Sequence, residues 1–156
     1  MVLLVSLTAF SVQAEERKDY YMLSPDQIAR FIDGGRENGR RVVFIYASWC
    51  GYCRAALPEI MKIEEQQEGS VVAISIDKDP ETFRRYIQSR HGELPFPAIV
   101  WNRKGSLHDA LARFGIEPGR GIPFTALLDE YGYVHQQGVI RPADSARYIL
   151  SDSENL

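Results

Sequence analysis

Two thiols separated by two residues, Cys50 and Cys53 in the stretch YASWCGYCRAALP, are the only cysteines of this chain. That spacing serves three chemistries: a structural staple, part of a metal site, or a dithiol that exchanges electrons with other proteins. A staple fits poorly, because so short a loop contributes roughly 2 kcal/mol in the chain-entropy model, against about 3 for a fifteen-residue loop. A zinc centre wants four ligands, and His91, His108 and His135 show no paired spacing; each is expected at the surface or partly buried. The redox reading asks for a thiolate at Cys50, since the thiolate and not the thiol attacks disulfides. A helix starting there would favour it through unpaired backbone N–H groups and the positive end of the helix dipole. Cys53 would then lie in the first turn and reach back to break a mixed disulfide. Gly51 would let a partner's backbone come close, and Tyr52 would set part of the redox poise.

The flanking sequence supplies that strand and helix. RVVFIYA, Arg41 to Ala47, is an apolar, β-branched and aromatic run that suits a strand buried on both faces. Helical sequence follows from about Gly51 to Gln67, with Pro58 predicted to kink it. VVAISID, Val71 to Asp77, reads as a second buried strand, and Asp79-Pro80 opens a helix with Phe83, Tyr86 and Ile87 on its apolar side. FPAIVW, Phe96 to Trp101, reads as a strand. Ser106 and Asp109 form a capping box for a helix carrying Leu107, Ala110, Leu111 and Phe114. IPFTALLD and YVHQQGVI read as strands joined at Glu130-Tyr131-Gly132, and Pro142 begins a last helix. Earlier, SPDQ at Ser24 to Gln27 is a helix start with a capping box and proline at the first position. The alternation predicts an α/β fold whose central mixed sheet is flanked by helices.

Length and composition bound the rest. At 156 residues, 45% hydrophobic and 25% charged, the chain has a globular composition and one ordinary domain's worth of sequence. A net charge of −3 gives no field that would recruit nucleic acid or anionic lipid. The basic run Arg36 to Arg41 is interrupted by Glu37 and Gly39 and reads as a solvated turn. Residues 1–14 carry no charged side chain, and the apolar run Val2 to Phe10 precedes Val12-Gln13-Ala14, a pattern signal peptidase accepts. That run is far short of the ~20 residues needed to span a bilayer. Residues 1–14 are therefore expected to be a signal peptide, 15–39 an N-terminal extension with a helix, and 40–151 the main domain. Export places the thiols in an oxidising space, periplasmic or otherwise outside the cytosol, with no stable membrane insertion after processing.

With these elements in place the chain resembles the thioredoxin superfamily, and within it the exported TlpA-like branch. WCGYC matches the family's Trp-Cys-x-x-Cys, and Pro58 sits where the family has its helix proline. RGIPFTALLDEYG resembles the segment carrying the family's cis-proline, here Pro123 preceded by Ile122. Forty-three residues separate Asp77 from Gly121, and within them DKDPETFRRYI…LPFPAIVWNRKGSL, Asp77 to Leu107, resembles the helix and strand that TlpA-like proteins insert before that proline. The resemblance implies a thioredoxin-like fold over about residues 40 to 150 and thiol-disulfide exchange without cofactor or metal. It implies Cys50 as exposed nucleophile, Cys53 as resolving thiol and Pro123 facing the pair. Ile122 would offer backbone hydrogen bonds to a substrate strand, and Trp49 would line the surface beside the nucleophile. The implied partners are cysteine-containing exported proteins and an upstream redox partner.

Two departures concern proton handling. Thioredoxins have a buried aspartate six residues before the first cysteine, and here that position is Phe44; cytochrome c maturation reductases have a glutamate three after the second, and here it is Ala56. Deprotonation of Cys53 is left to water or to a neighbour such as Glu59. The Gly-Tyr dipeptide resembles that of periplasmic disulfide isomerases, which favours the reductase or isomerase direction. Two other readings remain: a non-catalytic module that holds a partner or Cu(I) through the dithiol, and a thiol peroxidase. The peroxidase fits poorly, because Ala47 stands where such enzymes have threonine.

Overall fold

A computed structural model describes residues 20–151, so the expected leader over residues 1–14 lies outside the described part. The elements are β1 (Tyr21–Leu23), α1 (Pro25–Gly34), β2 (Arg41–Tyr46), α2 (Gly51–Gln66), β3 (Val71–Ser75) and α3 (Pro80–Arg90). They continue with β4 (Ile99–Trp101), α4 (Leu107–Ala112), β5 (Phe124–Leu128), β6 (Val134–Gly138) and α5 (Pro142–Leu150). A 3-10 turn at Arg36–Asn38 joins α1 to β2.

The strands form one mixed sheet in the order β1-β4-β3-β2-β5-β6. β1, β4, β3 and β2 run parallel, while β5 and β6 pair antiparallel. β2 is buried at all six positions, as its unbroken apolar run requires of a central strand with both faces covered. Its alternate residues serve two cores. Val42, Phe44 and Tyr46 join Leu57, Ile60, Phe83 and Ile149 on the face covered by α2, α3 and α5. Val43 and Ile45 join Ile28, Ile32, Leu107 and Leu111 beneath α1 and α4. The result is a sheet flanked by helices with a helix and strand, α3 and β4, inserted before the β5 strand.

Several ends differ from the sequence reading, each for a local reason. The 96–101 strand begins only at Ile99, because Pro95 and Pro97 remove ladder donors just ahead of it. The 122–129 strand begins at Phe124, after the cis Ile122–Pro123 bond. The 71–77 strand stops at Ser75, where a side chain takes over the hydrogen bonding. The 107–114 helix stops at Ala112, ahead of Gly115 at φ 75°. The Ser24 and Gln27 capping box forms as expected. The sequence reading missed β1, whose three residues are too few to show a period. No described helix is long and apolar enough to cross a membrane.

Candidate active site

Cys50 ends the turn after β2 and is the N-cap of α2, at φ −86° and ψ 115°. Extended backbone at that position turns its side chain back over the first turn, so its Sγ accepts the Cys53 N–H at 3.2 Å. The same thiol donates to the Ile122 carbonyl at 3.7 Å. That contact follows from the register: Ile45 opposes Phe124 across β2 and β5, so Ile122 and Pro123 arrive beside the start of α2. The Ile122–Pro123 bond is cis, as the resemblance implied, and it is the Ile122 carbonyl that meets Cys50. Cys50 is more covered than an exposed nucleophile would be. Only 8% of the residue reaches solvent, because the N-cap geometry and the Ile122 carbonyl close over the sulfur.

Cys53 is 0% exposed, and both thiols are free. Burial pushes the Cys53 thiol up to about 12, and its hydrogen bond with Cys50 adds to the effect. The two positions at which the resemblance would place an acid, Phe44 and Ala56, are apolar and covered. Phe44 is buried, stacked on Tyr46 at 5.3 Å, and Ala56 packs half-buried against the same core. Glu59 does not take over their role: its side chain is 55% exposed and bound to Lys62 at 2.8 Å.

A carboxylate does reach the turn ahead of Cys50, from the segment just after β3. Asp77 is buried and accepts three hydrogen bonds: from the Ser48 N–H at 2.9 Å, the Ser48 hydroxyl at 2.5 Å and the Ser75 hydroxyl at 2.6 Å. This network ties the turn that carries Trp49 and Cys50 to the end of β3. Sequence reasoning passed over it, although pairing would have revealed it. Tyr46 opposes Ser75 in register, so Ser48 and Asp77, each two residues further on, must meet.

Residues 32–147 match the family described as Redoxin. The chain belongs to the Redoxin family. Protein disulfide isomerase-like 1-1 of Arabidopsis thaliana is 29% identical over 157 residues, covering 98% of this chain and 30% of that protein. Mitochondrial thioredoxin-2 of Schizosaccharomyces pombe is 35% identical over 71 residues, covering 45% of this chain and 50% of that one. The chain thus spans half or less of the length of these curated relatives. Among solved structures, a thioredoxin family thiol:disulfide interchange protein from Chlorobium tepidum TLS superposes with a TM-score of 0.60 at 20% identity. That match covers 76% of this chain and 83% of that one, and it establishes the thioredoxin-like fold.

In this Redoxin chain the rim of the site is aromatic. Trp49 is 67% exposed and Tyr52 is 83% exposed, an unusual display for side chains of that size beside a buried sulfur pair. A Cβ built at Gly51 would meet nothing within 4 Å, so the fold itself leaves that surface open. Beside Trp49 opens a cleft of about 400 Å³ lined also by Ile76, Asp77, Lys78 and Arg103. Arg103 is held over the Trp101 ring and donates to the Ile76 carbonyl at 2.6 Å. The three histidines lie apart from the pair: His91 beside Tyr86, His135 stacked on Tyr148, and His108 at the surface.

Proposed function

We propose that this Redoxin chain is a thiol-disulfide oxidoreductase that exchanges disulfides with cysteine-containing exported proteins, in the reductase or isomerase direction. The observation carrying the proposal is the asymmetry of the pair. Cys50 Sγ sits at the amino end of α2 beside the Ile122 carbonyl, whereas Cys53 is sealed beneath it. Only one sulfur is placed to meet a foreign disulfide, and the other can be reached only through it. The printed names of the relatives, a disulfide isomerase-like protein and a thioredoxin, support the same chemistry.

The steps balance without cofactor. Cys50 thiolate attacks one sulfur of the substrate disulfide; a Cys50–substrate bond forms, the substrate S–S bond breaks, and the departing thiolate takes a proton. Cys53, once deprotonated, attacks Cys50 Sγ, closing the pair as a disulfide and releasing the second substrate thiol. The substrate gains two electrons and the pair loses two, which an upstream dithiol partner returns. The backbone of Ile122 and Pro123 would hold the substrate segment as an added strand, and the faces of Trp49 and Tyr52 would cover its apolar side chains. Gly51 lets that segment approach. The apolar run ahead of Ala14 supports placing the reaction outside the cytosol.

Insulin reduction by the purified chain tests the assignment, with turnover expected from the native protein and none from Cys50→Ser. Unchanged turnover in Cys50→Ser would overturn it. Equilibration against glutathione then sets the direction: a potential near about −270 mV fits a reductase, and one near about −120 mV an oxidant.

A further inference from the structure

Before Cys53 can close the pair it must lose a proton that burial holds tightly, and among the described residues no carboxylate hydrogen-bonds it. A different group lies at hand. Tyr46 is 1% exposed, wedged between Phe44 at 5.3 Å and Phe83 at 6.0 Å, in the same core cluster as Cys50 and Cys53. Its hydroxyl is buried and has no hydrogen-bond partner in the protein. A buried hydroxyl left that way is costly, and in native proteins such groups are ordinarily satisfied by an internal water.

The surroundings show what the hydroxyl faces. Tyr46 and Ser75 are register partners on parallel strands, so both side chains leave the sheet on the α2 face, and the Ser75 hydroxyl binds Asp77. Asp77, Tyr86 and Cys53 lie close enough to the phenol to raise its pKa further, although burial is the larger cause. Tyr86, on α3, in turn carries the Arg54 guanidinium over its ring at 5.6 Å and pairs with His91 at 3.2 Å, with Arg90 nearby. Asp77 lines the open cleft beside Trp49, together with Lys78, Asp79 and Arg103. The phenol therefore shares a core with a sulfur that must shed a proton, and its register partner Ser75 holds a carboxylate that lines a cleft open to solvent.

We propose that Tyr46 is a proton-relay residue for Cys53, passing the thiol proton across a bridging water to Asp77 and so to the cleft beside Trp49. The proposal rests on the exchange chemistry assigned to Cys50 and Cys53. As the Cys53–Cys50 bond forms and the Cys50–substrate bond breaks, the Cys53 proton moves to the phenol oxygen while the phenol proton moves toward Asp77. Tyr46 ends unchanged, and the proton leaves Asp77 through the cleft. Since Tyr46 acts within the core and touches no substrate, deleting it should spare the attack by Cys50.

The reduced full chain reacting with 5,5′-dithiobis(2-nitrobenzoate) separates the two steps. The first thionitrobenzoate released reports Cys50 attack and the second reports resolution by Cys53. Tyr46→Phe keeps both ring contacts; its first phase should stay within about twofold of native while the second slows by about tenfold or more near neutral pH. The second phase of the variant should then climb about tenfold per pH unit, as direct deprotonation demands. Asp77→Asn should slow the same phase. In the native protein the second phase alone should carry a solvent deuterium effect of about two or more, a measurement that needs no variant. A normal first phase with an unchanged second phase and pH profile in Tyr46→Phe would overturn the relay alone, as would an isotope effect confined to the first phase. Absence of any first phase in the native protein would refute the exchange reading and the relay with it.

Discussion

Alkylation of the native, reduced protein should expose how differently the two sulfurs are held. Burial lifts the Cys53 thiol from its ordinary 9.0 to about 12, so at a given pH below 9 its thiolate fraction is about a thousandfold smaller than that of a free thiol. The pH at which half the thiol is ionised is correspondingly far above the working range. Iodoacetamide reacts with the thiolate, so the rate at Cys53 should be at least about a thousandfold below that of the same residue in urea, and its 0% exposure slows it further. Between about pH 7 and 10 the rate should rise about tenfold per pH unit without a plateau. Quenching at timed intervals and weighing the peptide that contains both cysteines, with fragmentation to place the label, gives both rates in one experiment. Cys50, which retains 8% exposure where Cys53 has none, should be labelled first. Modification of native Cys53 within about tenfold of its rate in urea, or a rate that levels off near pH 9, would refute the claim that burial governs this thiol.

The same burial has a thermodynamic face. A thiol whose pKa is raised on folding stabilises the fold fully below its unfolded value of 9.0 and loses that contribution as pH rises toward about 12. The unfolding free energy of the reduced protein, from urea titrations, should fall over that window by up to about 4 kcal/mol more than that of Cys53→Ala, Tyr46 and Tyr86 shifting both proteins in the same direction. Ser48→Ala deletes a 2.5 Å hydrogen bond to the buried Asp77 carboxylate and should cost about 1.5–3 kcal/mol in chemical unfolding; a loss below about 0.5 would show that the bond is not formed. Gly51→Ala, which meets nothing within 4 Å, should leave stability within about 1 kcal/mol while lowering insulin turnover, and an unaltered turnover would remove Gly51 from the substrate surface.

Much of this was legible in the sequence because the informative signals are local. The apolar run Arg41 to Tyr46 and the Ser24 and Ser106 caps announced β2, α1 and α4, and the strand-helix alternation ending in a hairpin announced a mixed sheet. The family resemblance carried by WCGYC and RGIPFTALLDEYG, not the residues alone, implied the cis Ile122–Pro123 bond and its approach to Cys50. What escaped depends on pairing between distant segments. Three residues at β1, two of them exposed, become a strand only because β4 receives them. Asp77 looked like the tail of a strand, and its role as acceptor for Ser48 exists only once β2 and β3 are in register. The covering of Cys50 likewise depends on a carbonyl 72 residues away. Glu59 was near Cys53 in sequence, but its place on α2 turns it outward to Lys62.

The placement of β1 has a mechanical corollary. It hydrogen-bonds to the inserted strand, from the Tyr21 N–H to Ala98 and from Asn102 to Leu23, and makes no ladder with β2. Pulling, cleavage or attachment ahead of Tyr21 would therefore load the far margin of the sheet, with two strands, β4 and β3, between it and the one that leads into the sulfurs. Such a load would reach the sulfurs through β4 and β3, and through Tyr20, which packs against the core that holds them.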